Sequence, residues 1–550
     1  MKVYEALARA FADEGTTDVF SVMGDANMMW LSAISSLPEV RNHHARHEAG
    51  ALAMADGYVR AGGDVGVATV TCGPGLTNLA TSLVAAVRYR CPIVLFAGDT
   101  PQGDTDGIQS LDQMRFAEAC GAEARLITSS RNALAEVARA FRTARVRRIP
   151  VVLNVPMDVQ EQDLPDDATY MPLPHHAAGE EFLPDEATLD RLAGLLASAD
   201  RPVILLGRGA LEPDIRDDVE RLAGRIGALV ATTLLAKGAW GMRPWGLDVA
   251  GTFSSSRTSG LLGEADVVLA LGASLNEFTT VNGTIFGSAR VAQVVDVPVP
   301  VAHGSVRLEM QAVGLAGPTV RAVDAMLAAG DHRATGLRTP RTEALLAGPE
   351  PREDYATGSA APGELDPRDV AAVIESGLSD DELLVHGAGH FWAFTIHALS
   401  GGRARRFIFT NGFGACGQAL PVAVGAAVAR PDVPVTCIEG DTSLLMNLQE
   451  LETAARLGLP LRIVIMNDGA MGAELHKLRI RGAPVDDAIV PDPGFVAAAE
   501  AFGVRARRPR TLDELAEALA EDVADGPVLI DVPISRDVVA LSGVTVPGYH

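Results

Sequence analysis

The chain has 550 residues, of which 48% are hydrophobic and 21% are charged, and its formal net charge is −24. A single hydrophobic core stops growing at about 250–300 residues, so this length predicts several domains. Nucleic acids and anionic membranes are bound through clustered Lys and Arg, and the excess of 70 acidic over 46 basic residues argues against both as partners.

The five cysteines are scattered and contain no Cys-x-x-Cys pair, which argues against a disulfide framework and against a zinc site. Residues 1–12 have the pattern of an amphipathic helix without a basic start or a cleavable apolar core, so we expect no signal peptide. We find no run of about 18 uncharged apolar residues that would predict a transmembrane helix. These features predict a soluble enzyme of the cytoplasm.

The first part of the chain, residues 1–165, alternates helical and strand patterns, which predicts a doubly wound α/β domain. Glu48 begins a helix with small residues that allow close packing, and we expect this helix to end near Gly57. An acidic residue in a first helical turn is stabilised by the helix dipole, so Glu48 alone has a structural explanation. Strands are predicted at residues 19–22, 66–70, 93–97 and 151–155.

A polar, turn-rich loop containing Gln109 follows the strand at residues 93–97. Open α/β sheets bind their ligands outside the carboxyl ends of the strands. This loop is therefore a candidate for contacting a substrate.

A second α/β block contains a strand that enters a glycine turn at residues 201–210. This turn lacks the full Gly-x-Gly-x-x-Gly pattern and the acidic residue of a dinucleotide site. We expect Lys237, in the same block, to lie on the surface. Stretches rich in Pro and charge predict linkers at residues 159–187 and 330–365. Three domains are thus predicted, over residues 1–165, 185–335 and 366–550.

The last domain carries two glycine-rich turns. The sequence Gly387-Ala-Gly389-His390 follows a predicted strand, and Gly414-Ala-Cys416-Gly417 leads into a buried helix. Glycine at such places usually allows another part of the chain to approach closely.

Two acidic residues follow two buried strands of the same domain. Asp441 follows the strand at residues 435–438 and opens a helix predicted to reach Ala455, and Asp468 follows the strand at residues 461–466. A helical crossover brings the ends of parallel strands to one edge of a sheet, so the two carboxylates should converge. Two carboxylates attract a hard divalent cation, and a helix start attracts phosphate. The pattern therefore predicts a site for a metal-bridged diphosphate.

These motifs resemble those of the thiamine diphosphate (ThDP) enzymes, in particular the acetolactate synthase-like group. Gly440-Asp441-Thr442-Ser443, followed by Asp468, resembles the family's usual Gly-Asp-Gly…Asn-Asn motif. The segment from Glu48 through residues 71–78 resembles its pyrimidine-binding domain. The resemblance covers nearly the whole chain and implies three doubly wound α/β domains: pyrimidine-binding, central Rossmann-like and diphosphate-binding.

The resemblance also implies roles for individual residues. Glu48 would hydrogen-bond the aminopyrimidine ring and favour the imino tautomer that removes the thiazolium C2 proton. Gln109 would contact substrate, and Glu474 would be a second acid beside the thiazolium. The implied Mg²⁺ ligands are Asp441, Asp468 and the Ala470 carbonyl, and the other implied cofactor contacts are Gly387, Gly389, His390, Gly414, Cys416, Gly440, Thr442, Ser443 and Met471.

The implied activity is decarboxylation of a 2-oxo acid through an enamine, followed by acetolactate synthase-like ligation to a second carbonyl. A non-ligating decarboxylase that releases an aldehyde is an alternative, favoured by Glu474. Some relatives bind FAD in the central domain, but FAD is not favoured here. The resemblance implies a homodimer or homotetramer in which Glu48 and the diphosphate-binding domain come from different chains.

Three residues depart from the family pattern. Thr442 replaces a glycine, and Asp468 replaces an Asn and adds a negative charge. Cys416 is smaller than the Met, Leu or Ile that holds the two cofactor rings in a folded V shape. These three departures motivate a further alternative, a catalytically silent nucleotide-binding paralogue. Gln109 matches the family's glutamine, but it lies in Ile-Gln-Ser rather than Phe-Gln-Glu. We also expect residues 543–550 to form a mobile arm over the site.

Overall fold

The computed structural model describes residues 1–104, 106–172, 182–211, 215–241, 243–299, 305–348, 355–399 and 406–541. These residues form three parallel six-stranded sheets, one after another along the chain. Helices connect the strands, so the protein consists of three parallel-sheet α/β domains. Where each domain begins and ends stays a prediction.

The first domain has the strand order β2-β1-β3-β4-β6-β5. Its central strands are buried along their whole length, as expected for a parallel sheet covered by helices on both faces. The strands are β1 Asp18–Ser21, β2 Arg41–His44, β3 Gly66–Val70, β4 Ile93–Asp99, β5 Glu123–Leu126 and β6 Val151–Pro156. The helices are α1 Val3–Asp13, α2 Met28–Ser35, α3 Glu48–Arg60, α4 Pro74–Thr77, α5 Ala80–Tyr89, α6 Gln113–Ala119, α7 Ala133–Arg147 and α8 Met157–Gln160.

The central domain has the order β12-β11-β10-β7-β8-β9. The strands are β7 Pro202–Leu206, β8 Leu229–Thr232, β9 Gly246–Val249, β10 Val267–Leu271, β11 Arg290–Val295 and β12 Leu308–Val313. The helices are α9 Glu186–Ala197, α10 Ile215–Ile226, α11 Ser256–Gly263, α12 Glu277–Thr280, α13 Ala316–Ala329 and α14 Pro340–Ala347.

The last domain has the order β15-β14-β16-β17-β19-β18 and carries a short antiparallel pair, β13 with β20. The strands are β13 Ala356–Thr357, β14 Leu383–His386, β15 Arg406–Phe409, β16 Val435–Gly440, β17 Leu461–Asn467, β18 Arg505–Arg507, β19 Val528–Pro533 and β20 Val539–Ala540. The helices are α15 Pro367–Gly377, α16 Trp392–Ala398, α17 Ala419–Ala429, α18 Asp441–Leu445, α19 Glu450–Arg456, α20 Gly472–Ile480, α21 Phe495–Ala501 and α22 Leu512–Leu519.

The first and last domains of the chain pack together where α3 crosses α17. Two glycines allow the crossing: a Cβ on Gly57 would lie 2.0 Å from the Val422 carbonyl oxygen, and one on Gly425 would lie 1.8 Å from that of Met54. The backbones therefore touch directly, and the packing fixes the direction of α3.

Several local predictions were wrong. The helix predicted from Asp441 to Ala455 is divided into α18 and α19, and the helix that begins at Glu48 ends at Arg60, beyond Gly57. The predicted linker at residues 330–365 contains α14 and β13. Lys237 is not on the surface.

Lys237 is only 3% exposed, and its amine contacts the Asp248 carboxylate at 2.7 Å. The buried aliphatic stem packs between the central and last domains, where the amine lies 5.8 Å from the Phe407 ring centroid. The expected arm at residues 543–550 and part of the first linker, residues 173–181, lie outside the described residues.

Candidate active site

The ends of β16 and β17 bring Asp441 and Asp468 together. Asp441 Oδ1 accepts a hydrogen bond from the Thr442 amide at 2.8 Å, and Asp468 Oδ1 accepts one from the Ala470 amide at 3.0 Å. The Gly469 and Ala470 amides are also close enough to Asp441 to favour its charged form. The two carboxyl groups meet here because the two strands are adjacent and parallel and end at the same edge.

Both carboxyl groups are buried, with 5% exposure for Asp441 and 8% for Asp468. Burial raises the pKa of Asp441 to about 6. Burial and the charge of Asp441 together raise the pKa of Asp468 to about 7. Burial and mutual repulsion disfavour the ionised forms of these two carboxyl groups. A bound cation would stabilise those ionised forms.

The oxygen donors fit Mg²⁺ in chemistry. Two carboxylates and the Ala470 carbonyl are hard ligands, and the Thr442 hydroxyl lies 3.5 Å from that carbonyl oxygen. Among the described residues, no cluster of three His, Cys, Asp or Glu side chains is arranged to hold a metal. Further ligands would therefore come from backbone or from the phosphate oxygens of a bound cofactor.

Ser443 connects the diphosphate side of the site with the glycine-rich turn before α17. Its hydroxyl oxygen accepts a hydrogen bond from the Gly417 amide at 2.7 Å. The same side chain lies near the buried carboxylate of Glu439 and favours its charged form. Ser443 thus supports the shape of the site from within the domain. The helix it belongs to, α18, has only five residues and a correspondingly small dipole.

Glu439 is a central residue of the site that sequence reasoning missed. It is fully buried, and its carboxylate accepts from the amides of Ala419 and Gly440, each at 3.3 Å. A Cβ on Gly387 would lie 2.0 Å from its Oε1, so only glycine fits there. Burial raises the pKa of Glu439 to about 7. An acidic residue inside a buried strand was the signal that could have identified it.

His390 lies on the other side of the pair of carboxylates. A Cβ on Gly472 would lie 2.4 Å from Asp468 Oδ2 and 3.0 Å from the His390 Cβ, so the two side chains flank the same glycine. The His390 Nε2 atom accepts from the Ala540 amide at 3.0 Å. Burial lowers the pKa of His390 to about 3, so its ring is neutral. Gly389, just before it, leaves no space for a side chain beside Phe391.

The turn before α17 has an open side. Gly414 has a φ of +71°, and a Cβ placed on it would have no neighbour within 4 Å. Three apolar side chains on the same edge of the domain are strongly exposed: Phe413 at 44%, Met446 at 53% and Met471 at 40%.

Glu474 lies in the first turn of α20, and its side chain is 59% exposed, with Lys477 at 3.9 Å. Burial raises the pKa of the Cys416 thiol, and the negative charges of Glu439 and Glu474 raise it further. Glu474 is thus close enough to Cys416 to affect its ionisation. Glu474 and Cys416 are therefore on the same open edge. A thiol with a raised pKa is a poor nucleophile at neutral pH.

The first domain presents a second group of predicted residues at the carboxyl ends of its strands. Glu48 opens α3, and its Oε2 accepts a hydrogen bond from the Asn78 side chain at 2.9 Å. The Gln109 side-chain oxygen accepts from the Cys72 thiol at 3.3 Å. The backbone of Gln109 lies directly over Gly73, where a Cβ would be 2.4 Å from the Gln109 carbonyl oxygen. Sequence reasoning did not single out Asn78 as the partner of Glu48.

Three family models match the chain in order. The N-terminal thiamine pyrophosphate (TPP) binding domain matches residues 1–116, the TPP enzyme central domain matches residues 189–323, and the C-terminal TPP binding domain matches residues 387–532. The chain belongs to the thiamine pyrophosphate enzyme family. Thiamine pyrophosphate is another name for ThDP.

Curated relatives of this ThDP enzyme include acetolactate synthases. The chain is 28% identical over 559 residues to acetolactate synthase 1, chloroplastic, of Nicotiana tabacum, covering 96% of this chain and 81% of the relative. It is 28% identical over 551 residues to the probable acetolactate synthase large subunit of Methanocaldococcus jannaschii. This match covers 97% of this chain and 92% of the relative. The Arabidopsis thaliana enzyme, acetolactate synthase, chloroplastic, is 26% identical over 550 residues. The protein is therefore an acetolactate synthase-like member of the family.

The two groups of site residues lie on different domains. Among the described residues of one chain, no hydrogen bond or ion pair connects the Glu48 carboxylate with Asp441, Asp468 or Gly414. The backbone just before Glu48 does contact the last domain, because the Arg46 and His47 amides donate to the buried Glu450. Glu48 itself is partly exposed, and the turn at Gly414 has an open side.

Within the part of the chain that the structure describes, no helix combines the length and the apolar character needed to span a bilayer.

Proposed function

We propose that this protein is a ThDP- and Mg²⁺-dependent enzyme that decarboxylates a 2-oxo acid and joins the resulting fragment to a second carbonyl compound. The observation that carries the proposal is the buried pair Asp441 and Asp468, which interact with each other at the ends of neighbouring strands. The three matching TPP-enzyme models and the relatives named acetolactate synthase support it.

Asp441, Asp468 and the Ala470 carbonyl would hold Mg²⁺, which would in turn hold the diphosphate. The turn at Gly387, Gly389 and His390 would lie against the diphosphate, next to Gly440 and Thr442. When bound, the cofactor supplies a positively charged ring that stabilises the carbanion left after loss of CO₂. The extra negative charge that Asp468 brings suits a divalent ion, because an anionic ligand holds a cation more strongly than an amide does.

Glu48 would hold a proton at the pyrimidine ring nitrogen. The hydrogen bond from Asn78 fixes one carboxylate oxygen and leaves the other available for that contact. Gly414 would accept from the pyrimidine amino group, because its carbonyl lies in a turn that has an open side. Cys416, Met471 and Gln109 would line the space around the reacting carbon.

Glu48 and Asp441 lie on different domains and share no hydrogen bond or ion pair within the described residues of one chain, which agrees with a homodimer or homotetramer in which each complete site combines two chains. The exposed apolar side chains Phe413, Met446 and Met471 would then be covered by the partner's first domain, which removes their surface from water. The scattered free cysteines support a reducing compartment, and we propose the cytoplasm.

Release of an aldehyde is the second candidate outcome. Glu474 favours it, because its carboxylate lies on the same open edge as Cys416 and its charge reaches that thiol. A carboxylic acid at this place would donate a proton to the carbanion before a second carbonyl compound could react. Acetolactate-type ligation requires that this protonation be slower than entry of the acceptor.

The test begins with native mass spectrometry of the protein after addition of ThDP and Mg²⁺. CO₂ release is then measured across a panel of 2-oxo acids, and the products are separated into hydroxy-keto acids and aldehydes. Binding of ThDP without CO₂ release from any member of the panel would identify a catalytically silent paralogue. Absence of ThDP binding, or binding unaffected by chelation of Mg²⁺, would contradict the cofactor proposal.

Glu48→Gln is expected to keep ThDP binding and to lower CO₂ release by at least about 100-fold, the usual contribution of a positioned acid or base. Glu39→Gln, an exposed acid of the same domain, is the matched control and should keep full activity. Undiminished turnover in Glu48→Gln would reject the assignment. Glu474→Gln should shift the ratio of aldehyde to ligated product.

A further inference from the structure

We propose that two side chains of the first domain, Tyr89 and Arg60, position the turn that carries Gly414 and Cys416 in the last domain of the same chain. The inference rests on the proposed function, in which this turn faces the aminopyrimidine ring. It concerns positioning residues, because neither side chain reaches the reacting atoms.

Tyr89 is the last residue of α5 and is only 5% exposed. Its hydroxyl accepts a hydrogen bond from the Gly412 amide, two residues before Gly414. Its ring also packs directly on that residue, because a Cβ on Gly412 would lie 2.6 Å from Tyr89 Cζ. Glycine at position 412 is therefore required by a side chain of another domain.

Arg60 is the last residue of α3, and it holds the strand that precedes the turn. Its guanidinium lies 3.8 Å from the centroid of the Tyr89 ring and donates to the Phe409 carbonyl at 2.6 Å. Phe409 ends β15. The charge is balanced by Asp56, one turn earlier in α3, at 3.3 Å. Tyr89 and Arg60 thus fix the backbone at two points, Phe409 and Gly412, just before Gly414.

The central domain meets the same cluster. Arg208, in the glycine turn after β7, donates to the Tyr89 carbonyl at 2.5 Å. Arg208 and Arg60 both lie near the Tyr89 ring, at 5.9 Å and 3.8 Å from its centroid. Tyr89 therefore contacts residues of both other domains.

The turn needs such support because one side of it is open. In the part of the chain that the structure describes, a Cβ placed on Gly414 would have no neighbour within 4 Å, and the Cys416 sulfur makes a long hydrogen bond of 3.8 Å to the Ala388 carbonyl. On the cofactor side, the Gly417 amide is fixed by Ser443. Before Gly414, the fixed points come from Tyr89 and Arg60. A small displacement of a group that contacts a cofactor is costly, because productive geometry tolerates little error.

Tyr89→Phe tests the inference, because it keeps the ring and removes the hydroxyl that accepts from Gly412. Tyr58→Phe is the matched control: Tyr58 is also partly buried, and its hydroxyl contacts Thr17 within the first domain, at 3.2 Å. Losing one hydrogen bond should raise the Kd and the KM for ThDP about fivefold in Tyr89→Phe. The value of kcat at saturating ThDP should change less than twofold. Tyr58→Phe should match wild type in all three values.

Hydrogen exchange of the protein without cofactor gives an independent readout. Peptides covering residues 406–418 should exchange faster in Tyr89→Phe than in wild type and in Tyr58→Phe, while the thermal midpoints of the two variants stay equal. Unchanged exchange in these peptides, or an unchanged Kd for ThDP, would overturn the inference. If Tyr89→Phe and Tyr58→Phe showed equally faster exchange and equally weaker ThDP binding, the cause would be a general loss of packing. That result would overturn the inference as well. Failure of the wild-type protein to bind ThDP would instead overturn the proposed function.

Discussion

Substituting Gly425 by Ala should separate the first and last domains at the crossing of α3 and α17. The new Cβ would lie 1.8 Å from the Met54 carbonyl oxygen, whereas ordinary contact begins at 3.4 Å, so the helices must move apart by 1.6 Å. Over-packing of a core costs about 1–3 kcal/mol, and the upper end of about 3 kcal/mol applies here because the new atom meets rigid backbone. Alanine is about 1 kcal/mol more favourable than glycine inside a helix, which offsets part of this cost.

The expected net loss is about 2 kcal/mol, which lowers the thermal midpoint of a domain of this size by roughly 4–8 °C. The assay is differential scanning calorimetry, with CO₂ release as a second readout. Activity should fall as well, because movement of α3 displaces Glu48 at its first residue.

Gly194→Ala is the matched control for this prediction. Gly194 lies inside α9, and a Cβ there would have no neighbour within 4 Å. The same substitution should stabilise the protein by up to about 1 kcal/mol, because only helix propensity changes. If Gly425→Ala were as stable as Gly194→Ala, the reasoning about direct backbone contact between the domains would be refuted.

Two further outcomes follow from buried charges. Glu382 forms a buried ion pair with Arg462, whose Nη1 atom lies 2.8 Å from Glu382 Oε1. Glu382→Gln should lower the free energy of unfolding, measured by urea denaturation, by about 3 kcal/mol, because it leaves the charge of Arg462 buried without its partner. A decrease of less than about 1 kcal/mol would contradict this expectation. Burial lowers the pKa of both His386 and His397 from 6.5 to about 4. At these two histidines the unfolded chain then binds more protons below pH 6.5, so their contribution to the free energy of unfolding should decrease as the pH falls from about 6.5 to about 4. The raised pKa values of Glu439, Asp441 and Asp468 act in the opposite direction, so the measurement compares wild type with the double variant His386→Gln, His397→Gln. The thermal midpoint of wild type should fall relative to that of the variant over this range, and a constant difference between the two would show that these histidines are accessible to protons when folded.

The convergence of Asp441 and Asp468 could be predicted because it depends on topology alone. A buried strand, a helix and a second buried strand form a parallel unit, whose strand ends must meet at one edge. The length of the connecting helix did not affect this result, although α18 and α19 are two separate helices.

Glu439, Asn78 and Tyr89 were not predicted as parts of the site, because each acts on a residue far away in the sequence. Asn78 reaches Glu48, and Tyr89 reaches Gly412 in another domain. Glu439 lies within the strand that leads to Asp441, but two of its contacts are distant in the sequence: Ala419 begins α17, and Gly387 lies in the turn after β14. Local pattern gives no information on such pairs, since any polar side chain can have many partners.

The sequence by itself determined the three α/β units and the edge at which each exposes its polar residues, because hydrophobic periodicity and parallel connections act locally along the chain. Only the tertiary structure decided how the units combine. The contact of Gly57 and Gly425 with facing backbones lets α3 and α17 cross closely, while the turn at Gly414 keeps an open side. The physical reason is steric: the crossing depends on which distant glycines face each other, and that becomes defined only when the domains pack.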